Sequence, residues 1–134
     1  MTFIETQLAM GVVYEDIKTI SSKLEQSKPE LEKTKHQLEI CIKAKEESRR
    51  KIDRICQAEE VSLPDYVAAR KEEDAVLTLW GNTGVHLATL QSGINTLESL
   101  KADLEAKYTD LGERLTAAEN NVVQIDARRQ QNAS

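Results

Sequence analysis

The chain has 134 residues, of which 31% are charged and only 4% aromatic, and its net charge is −5. Five glycines and two prolines are too few for a fold with many turns, and abundant Ala, Glu, Lys, Leu, Gln and Arg favour long helices, because these residues lose little side-chain freedom there. A surplus of negative charge argues against a protein that coats duplex nucleic acid, and no apolar run approaches the roughly 20 residues that cross a bilayer.

The compartment is predicted from the N-terminus and the cysteines. Met1-Thr2-Phe3-Ile4 has no basic segment followed by an apolar segment, so a cleaved secretory signal is not expected. Cys41 and Cys56 are too few for a disulfide framework, which favours reduced thiols. We therefore expect a cytoplasmic protein.

The first half of the chain follows a heptad pattern, with core positions spaced alternately by three and four residues. This heptad seam of the first arm runs without a change of phase through Phe3, Thr6, Met10, Val13, Ile17, Ile20, Leu24, Ser27, Leu31, Thr34, Leu38, Cys41, Lys45, Ser48, Ile52 and Ile55. It predicts a helical arm over about residues 3–60. Pro29 must bend or restart the helix because it lacks an N–H group; Ser27 and Glu30 offer a capping box for a restart, but the unbroken phase favours a bend.

A helix-start signature lies near the middle of the chain. Ser62 suits the N-cap, Pro64 falls in the first turn, and Asp65 follows three residues after the serine. Residues 61–65 are therefore predicted to form the tip of a hairpin.

The second arm, about residues 65–129, carries its own heptad seam, followed by a polar tail at 130–134 that we expect to fray. Its core positions are Tyr66, Ala69, Glu73, Val76, Trp80, Thr83, Leu87, Leu90, Ile94, Leu97, Lys101, Leu104, Tyr108, Leu111, Leu115, Ala118, Val122 and Ile125. The phase passes through Trp80-Gly-Asn-Thr-Gly84 without an insertion, which favours a continuous but weakened helix over a loop, although each glycine costs about 1 kcal/mol in a helix interior.

These patterns predict one all-α domain, a long antiparallel helical hairpin that forms a coiled coil. Apolar residues beside the seam exceed what a two-stranded coiled coil needs, so we expect the hairpin to pair into a four-helix bundle, with a homodimer favoured. The polar core positions Ser27, Thr34, Lys45, Ser48 and Lys101 would allow adjustment of that packing. The residues expected to contact a partner or a second copy lie midway along the arms: Ile40, Ile42, Leu77, Leu79, Trp80 and Val85.

The sequence offers little for catalysis or for a cofactor. His36, Cys41, Cys56 and His86 do not fall at spacings that hold a metal ion, and neither cysteine has an evident base and pocket beside it. We expect no catalytic residue, no metal, no cofactor and no small-molecule substrate.

The composition and pattern therefore predict a non-catalytic coiled-coil module for protein interaction, acting as a scaffold, an adaptor or an assembly chaperone. The alternative is a small acidic inhibitor that occludes a nucleic-acid-binding or other basic site on a target protein. A third interpretation is nucleic-acid contact through residues 43–54, which hold six basic residues in twelve. Because Glu46, Glu47 and Asp53 are interleaved there at helical ion-pair spacings, a solvated, salt-bridged face is the simpler interpretation.

Overall fold

The structure is a computed structural model that describes residues 2–133. It contains two helices, α1 (Phe3–Gln57) and α2 (Leu63–Ala133), which pack against each other. Among the described residues there is no strand. The predicted all-α hairpin is thus confirmed, whereas two helices alone do not make a four-helix bundle, and that pairing remains a proposal.

Helix α1 is continuous through Pro29, so the helix does not restart at Ser27, which was the alternative to the favoured bend. The proline removes one hydrogen bond, which its N–H would donate to the carbonyl of Glu25, but the helix on both sides keeps the phase. The N-terminus of α1 is closed by a capping box that the sequence analysis missed. The Glu5 amide donates to Thr2 Oγ1 at 3.1 Å, and the Thr2 amide donates to Glu5 Oε2 at 3.5 Å.

The connection between the helices begins earlier than predicted, because α1 ends at Gln57 and not at residue 60. The predicted start of α2 is confirmed at atomic level. The Asp65 amide donates to Ser62 Oγ at 3.5 Å and the Tyr66 amide donates to the Ser62 carbonyl at 2.9 Å, so Ser62 is the N-cap. Pro64 needs no hydrogen-bonding partner in this first turn.

Helix α2 passes through Gly81 and Gly84 without a break. In the described part of the chain no glycine has a positive φ angle, so these glycines adopt ordinary helical geometry. The helix also extends to Ala133. Residues 130–133, which the sequence predicts to fray, are therefore helical in the structure, and Ser134 lies outside the described residues.

The chain divides into two compact units, unit 1 (Met1–Glu25 with Asn95–Ser134) and unit 2 (Gln26–Ile94). In unit 2 the helices run antiparallel, as three cross-helix contacts show. Cys41 Sγ lies 3.9 Å from Thr83 Oγ1, Lys45 Nζ lies 4.1 Å from the centre of the Trp80 ring, and Lys51 Nζ lies 3.0 Å from Glu72 Oε2. The residue numbers of each pair add up to between 123 and 125, which defines one register.

Unit 1 has an almost identical register. The rings of Tyr14 and Tyr108 are 6.3 Å apart, and a Cβ atom built on Gly112 would lie 3.6 Å from Met10 Cε. In this register Phe3 lies opposite about residue 119. Val122 and Ile125 are accordingly exposed, because in this register they themselves face no residue of α1.

The heptad seam predicts the core almost residue by residue. On α1 every seam residue from Thr6 to Ile55 is buried or half-buried, and on α2 the same holds from Tyr66 to Ala118 except for Trp80. The buried apolar residues are Val13, Ile20, Leu24, Leu31, Cys41, Ile52, Ala69, Ile94 and Leu111. No described side chain is less than 2% exposed; the core is therefore a thin layer between two helices.

A pair of leucines in unit 1 tests this assignment of the core. Leu111 is buried and Leu100 is 46% exposed on the same helix. We expect Leu111→Ala to lower the free energy of unfolding by about 2–4 kcal/mol through lost burial and a cavity, and Leu100→Ala to lower it by less than about 1 kcal/mol. Urea denaturation followed by circular dichroism measures both values. Equal losses would contradict the assignment of the seam residues to the core.

Candidate protein-interaction surface

The core of unit 2 is polar over several consecutive layers. Lys45 occupies a core position and places its ammonium group over the face of Trp80, a cation–π contact that contributes roughly 0.5–1 kcal/mol near the surface. Trp80 remains 38% exposed. At the next pair of core positions, Cys41 Sγ lies 3.9 Å from Thr83 Oγ1, within weak hydrogen-bonding distance. This stretch of the seam therefore packs less apolar surface than an aliphatic core would.

A buried carboxylate lies on the tip side of this polar stretch. Glu73 is 7% exposed; its Oε1 atom is 3.2 Å from Arg70 Nη1 and its Oε2 atom is 3.8 Å from Arg49 Nη1 on the opposite helix. A buried charge is tolerated only when it is paired, and the pair fixes which residues face each other. Glu73 thus links the two helices of unit 2 through its contact with Arg49.

The buried hydroxyl groups of the seam bond to their own helices. Thr34 Oγ1 donates to the Glu30 carbonyl at 2.8 Å, and Thr6 Oγ1 donates to the Thr2 carbonyl at 2.9 Å. Among the described residues, every buried side-chain nitrogen and oxygen has a hydrogen-bond partner. The polar seam is therefore satisfied locally and does not require a ligand.

The six residues predicted to contact a partner all lie in unit 2, and most of them are open to solvent. Leu77 is half-buried. The other five are exposed, at 53% for Ile40, 41% for Ile42, 59% for Leu79, 38% for Trp80 and 68% for Val85. They share one level of the hairpin but do not form one patch, as their positions in the heptad show.

Helical geometry distributes these residues around the hairpin. Ile42 and Leu77 each follow a core position directly, so they flank the same side of the seam. Leu79 precedes a core position and lies on the other side, opposite Ala44 in the observed register. Ile40 is one turn from Ala44 on that side, and Val85 points away from α1 on the outer surface of α2. The predicted cluster is thus two apolar flanks and an outer residue.

Ile42 interrupts a ladder of charged residues on α1. Acidic and basic residues alternate at spacings of three and four from Glu32 through Lys35 and Glu39 to Glu46, Arg49 and Asp53, and Ile42 stands where the pattern calls for a basic residue. Lys35 Nζ lies 3.4 Å from Glu32 Oε1, and Arg49 Nε lies 3.6 Å from Asp53 Oδ1. Such pairs stabilise a helix by about 0.2–0.5 kcal/mol each, so the exposed isoleucine gives up part of that stabilisation.

One feature of α2 went unnoticed at the level of sequence: residues 75–94 contain no Asp, Glu, Lys or Arg. On the facing part of α1, about residues 30–49 in the observed register, 10 of 20 residues are charged. We call the exposed part of residues 75–94 the uncharged face of α2; its outermost residues include Thr78, Gly81, Val85 and Ala88, all exposed. A count of charges in a sliding window would have found this segment, whereas the heptad pattern examines only the core positions.

The glycines of this segment have room around them. A Cβ atom added to Gly81, Gly84 or Gly93 would meet no atom within 4 Å. Close packing within the hairpin therefore does not require glycine at these positions, although each one costs the helix about 1 kcal/mol relative to alanine.

Residues 43–54 behave as a salt-bridged surface. Lys51 pairs with Glu72 across the helices, and Arg49 pairs with Asp53 and Glu73. The grooves around this segment are open and are lined by residues of both charges, among them Glu47, Arg50, Asp53 and Arg54. This mixture of charges offers no continuous basic track of the kind that follows a phosphate backbone.

A metal site is not present in residues 2–133, where no group of three or more His, Cys, Asp or Glu residues is placed to hold a metal ion. Both cysteines are free, Cys41 buried and Cys56 exposed. Within the described chain, neither helix is long and apolar enough to cross a membrane.

Comparisons of the chain with protein-family models, with curated protein sequences and with solved structures give no match. The function must therefore be inferred from the residues of this chain.

The buried carboxylate gives a prediction with a neighbouring control. Glu73→Ala removes both arginine contacts in a buried setting, and we expect it to lower the free energy of unfolding by about 1–3 kcal/mol. Glu72→Ala removes only the exposed pair with Lys51, and its expected cost is below about 1 kcal/mol. Denaturant titration of the two variants measures the difference; equal costs would contradict a stabilising role for the buried ion pairs of Glu73.

Proposed function

We propose that this protein is a non-catalytic coiled-coil module that binds another protein chain by helix–helix packing, and that it acts as a scaffold, an adaptor or an assembly chaperone. The observation that carries the proposal is the exposure of Ile40, Ile42, Leu79, Trp80 and Val85 at one level of unit 2. Exposed apolar residues scattered singly are normal on proteins. Five within one stretch of the hairpin, on its two flanks and its outer side beside a core that is itself polar, favour packing of this stretch against helices of another chain.

The accessible area supports the same proposal. The chain exposes 10015 Å², whereas a compact monomer of 15.1 kDa exposes roughly 7,100 Å². The excess is about 2,900 Å², and a typical protein partner covers about 800 Å² on each side. Two helices bury only one stripe each, so a further helix or pair of helices packed against them would bring the area towards that of a compact protein.

The polar seam suggests how such a module works. Lys45, Ser48 and Glu73 lower the stability of this part of the hairpin relative to an aliphatic core, and polar core residues often determine which packing arrangement is adopted. A partner that packs beside Trp80 would cover the exposed part of its side chain. It would also bury apolar surface next to the polar core positions of unit 2. Binding would therefore stabilise the weakest layers of unit 2.

The alternative function, an acidic inhibitor that occludes a basic site, needs unpaired carboxylates on one face. The carboxylates of α1 in unit 2 alternate with lysine and arginine, and several are paired with them. This arrangement lowers the electrostatic potential of the face, so it favours apolar packing over charge-driven occlusion.

Four single substitutions test the proposal. Ile42→Glu and Leu79→Glu place a charge on the two apolar flanks of unit 2, while Ile4→Glu and Leu8→Glu make the same changes at exposed residues of unit 1. The tagged variants are expressed in the cells from which the sequence comes, and bound chains are quantified after affinity purification. We expect the wild-type protein and both unit 1 variants to retain the same bound chain, and at least one unit 2 variant to lose about tenfold or more.

Retention of the chain by both unit 2 variants would contradict the proposal, as would a wild-type protein that binds no chain under any condition. Circular dichroism of the four variants must show unchanged helix content, because the comparison concerns the surface and not folding.

A further inference from the structure

We propose that the uncharged face of α2 in unit 2 is the docking surface for a second copy of this chain. This inference rests on the proposed function and names its partner and its surface. The contact would be isologous, meaning that the same face of α2 is used by both copies.

Charge is the first reason for choosing this surface and this occupant. Each copy carries a net charge of −5, so repulsion between two copies is smallest where neither has charged side chains at the contact. Residues 75–94 provide a helical stretch of about 30 Å without Asp, Glu, Lys or Arg. On unit 2, the outer surface of α1 carries the ladder that includes Glu39, Glu46 and Arg49, and burying it against another chain would require desolvation of those charges.

The shape of the face is the second reason. Gly81 and Ala88 are exposed one heptad apart on the outer side of α2, next to the outermost residue Val85, and small residues at such positions allow two helix backbones to approach closely. Gly81 and Gly84 each have open space where a Cβ atom would be, so the hairpin itself does not use that room. Val85 lies between these two glycines and Ala88 and is exposed. It supplies an apolar side chain that a second helix would cover.

The accessible area leaves room for such a contact. The excess of about 2,900 Å², taken over the whole chain, is larger than the area that each chain buries in a typical dimer, about 800 Å². Contact between the α2 faces of two hairpins would join four helices, which is the arrangement in which two-helix units usually complete a core.

Ala88→Glu tests the inference, with Ala102→Glu as a matched control. Both alanines are exposed on α2, two heptads apart at equivalent heptad positions, and only Ala88 lies in the uncharged face. Solution mass is measured by light scattering or sedimentation equilibrium from about 1 μM to about 200 μM, a range that covers dimers of moderate affinity.

We expect the wild-type protein and Ala102→Glu to form a dimer with the same dissociation constant within about twofold. Ala88→Glu should raise that constant at least about tenfold, because it buries like charges against each other. The inference is overturned if the wild-type protein is a monomer throughout, if Ala88→Glu dimerises like the wild type, or if both variants weaken the dimer equally.

These outcomes separate the inference from the proposed function. A monomeric protein that still captures another chain through Ile42 or Leu79 would remove the second copy as the partner and leave the interaction module in place. A dimer that resists Ala88→Glu but is weakened by Ile42→Glu would place self-association on the flank of the seam and not on the outer surface of α2.

Discussion

The unbroken three-four spacing of the heptad seam is the constraint on which the rest of this structure depends. Because the spacing keeps its phase along both helices, each helix presents one stripe to the other, and the antiparallel register is nearly the same in unit 1 and unit 2. Ser62 caps α2 immediately after the turn, and the contact of Lys51 with Glu72 follows two to three helical turns from this tip. The helices are continuous at Pro29 and Gly81, and the three-four spacing of the seam is the same on both sides of each residue.

The buried polar residues of the seam all have partners, so they are accommodated without interrupting the helices. Thr6 and Thr34 donate to carbonyl groups of their own helix, Glu73 is paired with two arginines, and Lys45 reaches the face of Trp80. Each arrangement satisfies a polar group at a position where an aliphatic residue would contribute more burial. Stability is therefore lower in the middle of unit 2 than the length of the helices implies, and this weakness coincides with the exposed apolar residues.

Sequence alone was sufficient for most of the fold, because heptad spacing, an N-cap serine and a proline in the first turn are local signals with a direct geometric meaning. It failed where the outcome depends on register. Val122 and Ile125 continue the seam in sequence, yet they are exposed, since α1 begins too late to face them. The candidate surface was predicted only in part: apolar residues beside the seam were recognised, but their assignment to two flanks and an outer surface required the observed register. The uncharged face of α2 is visible in the sequence and was missed, because periodicity selects core positions and ignores the absence of charge elsewhere.

The two helices of unit 2 therefore have different surfaces. Helix α1 is covered by paired charges that suit contact with water, whereas residues 75–94 of α2 carry no formal charge and have open space around three glycines. Amide hydrogen exchange, measured residue by residue at low and high protein concentration, tests most directly whether this face is a contact surface between copies. If it is, amides of residues 75–94 will exchange more slowly as the concentration rises, while those of residues 102–118 will be unchanged. Exchange in residues 75–94 that is the same at both concentrations would contradict it.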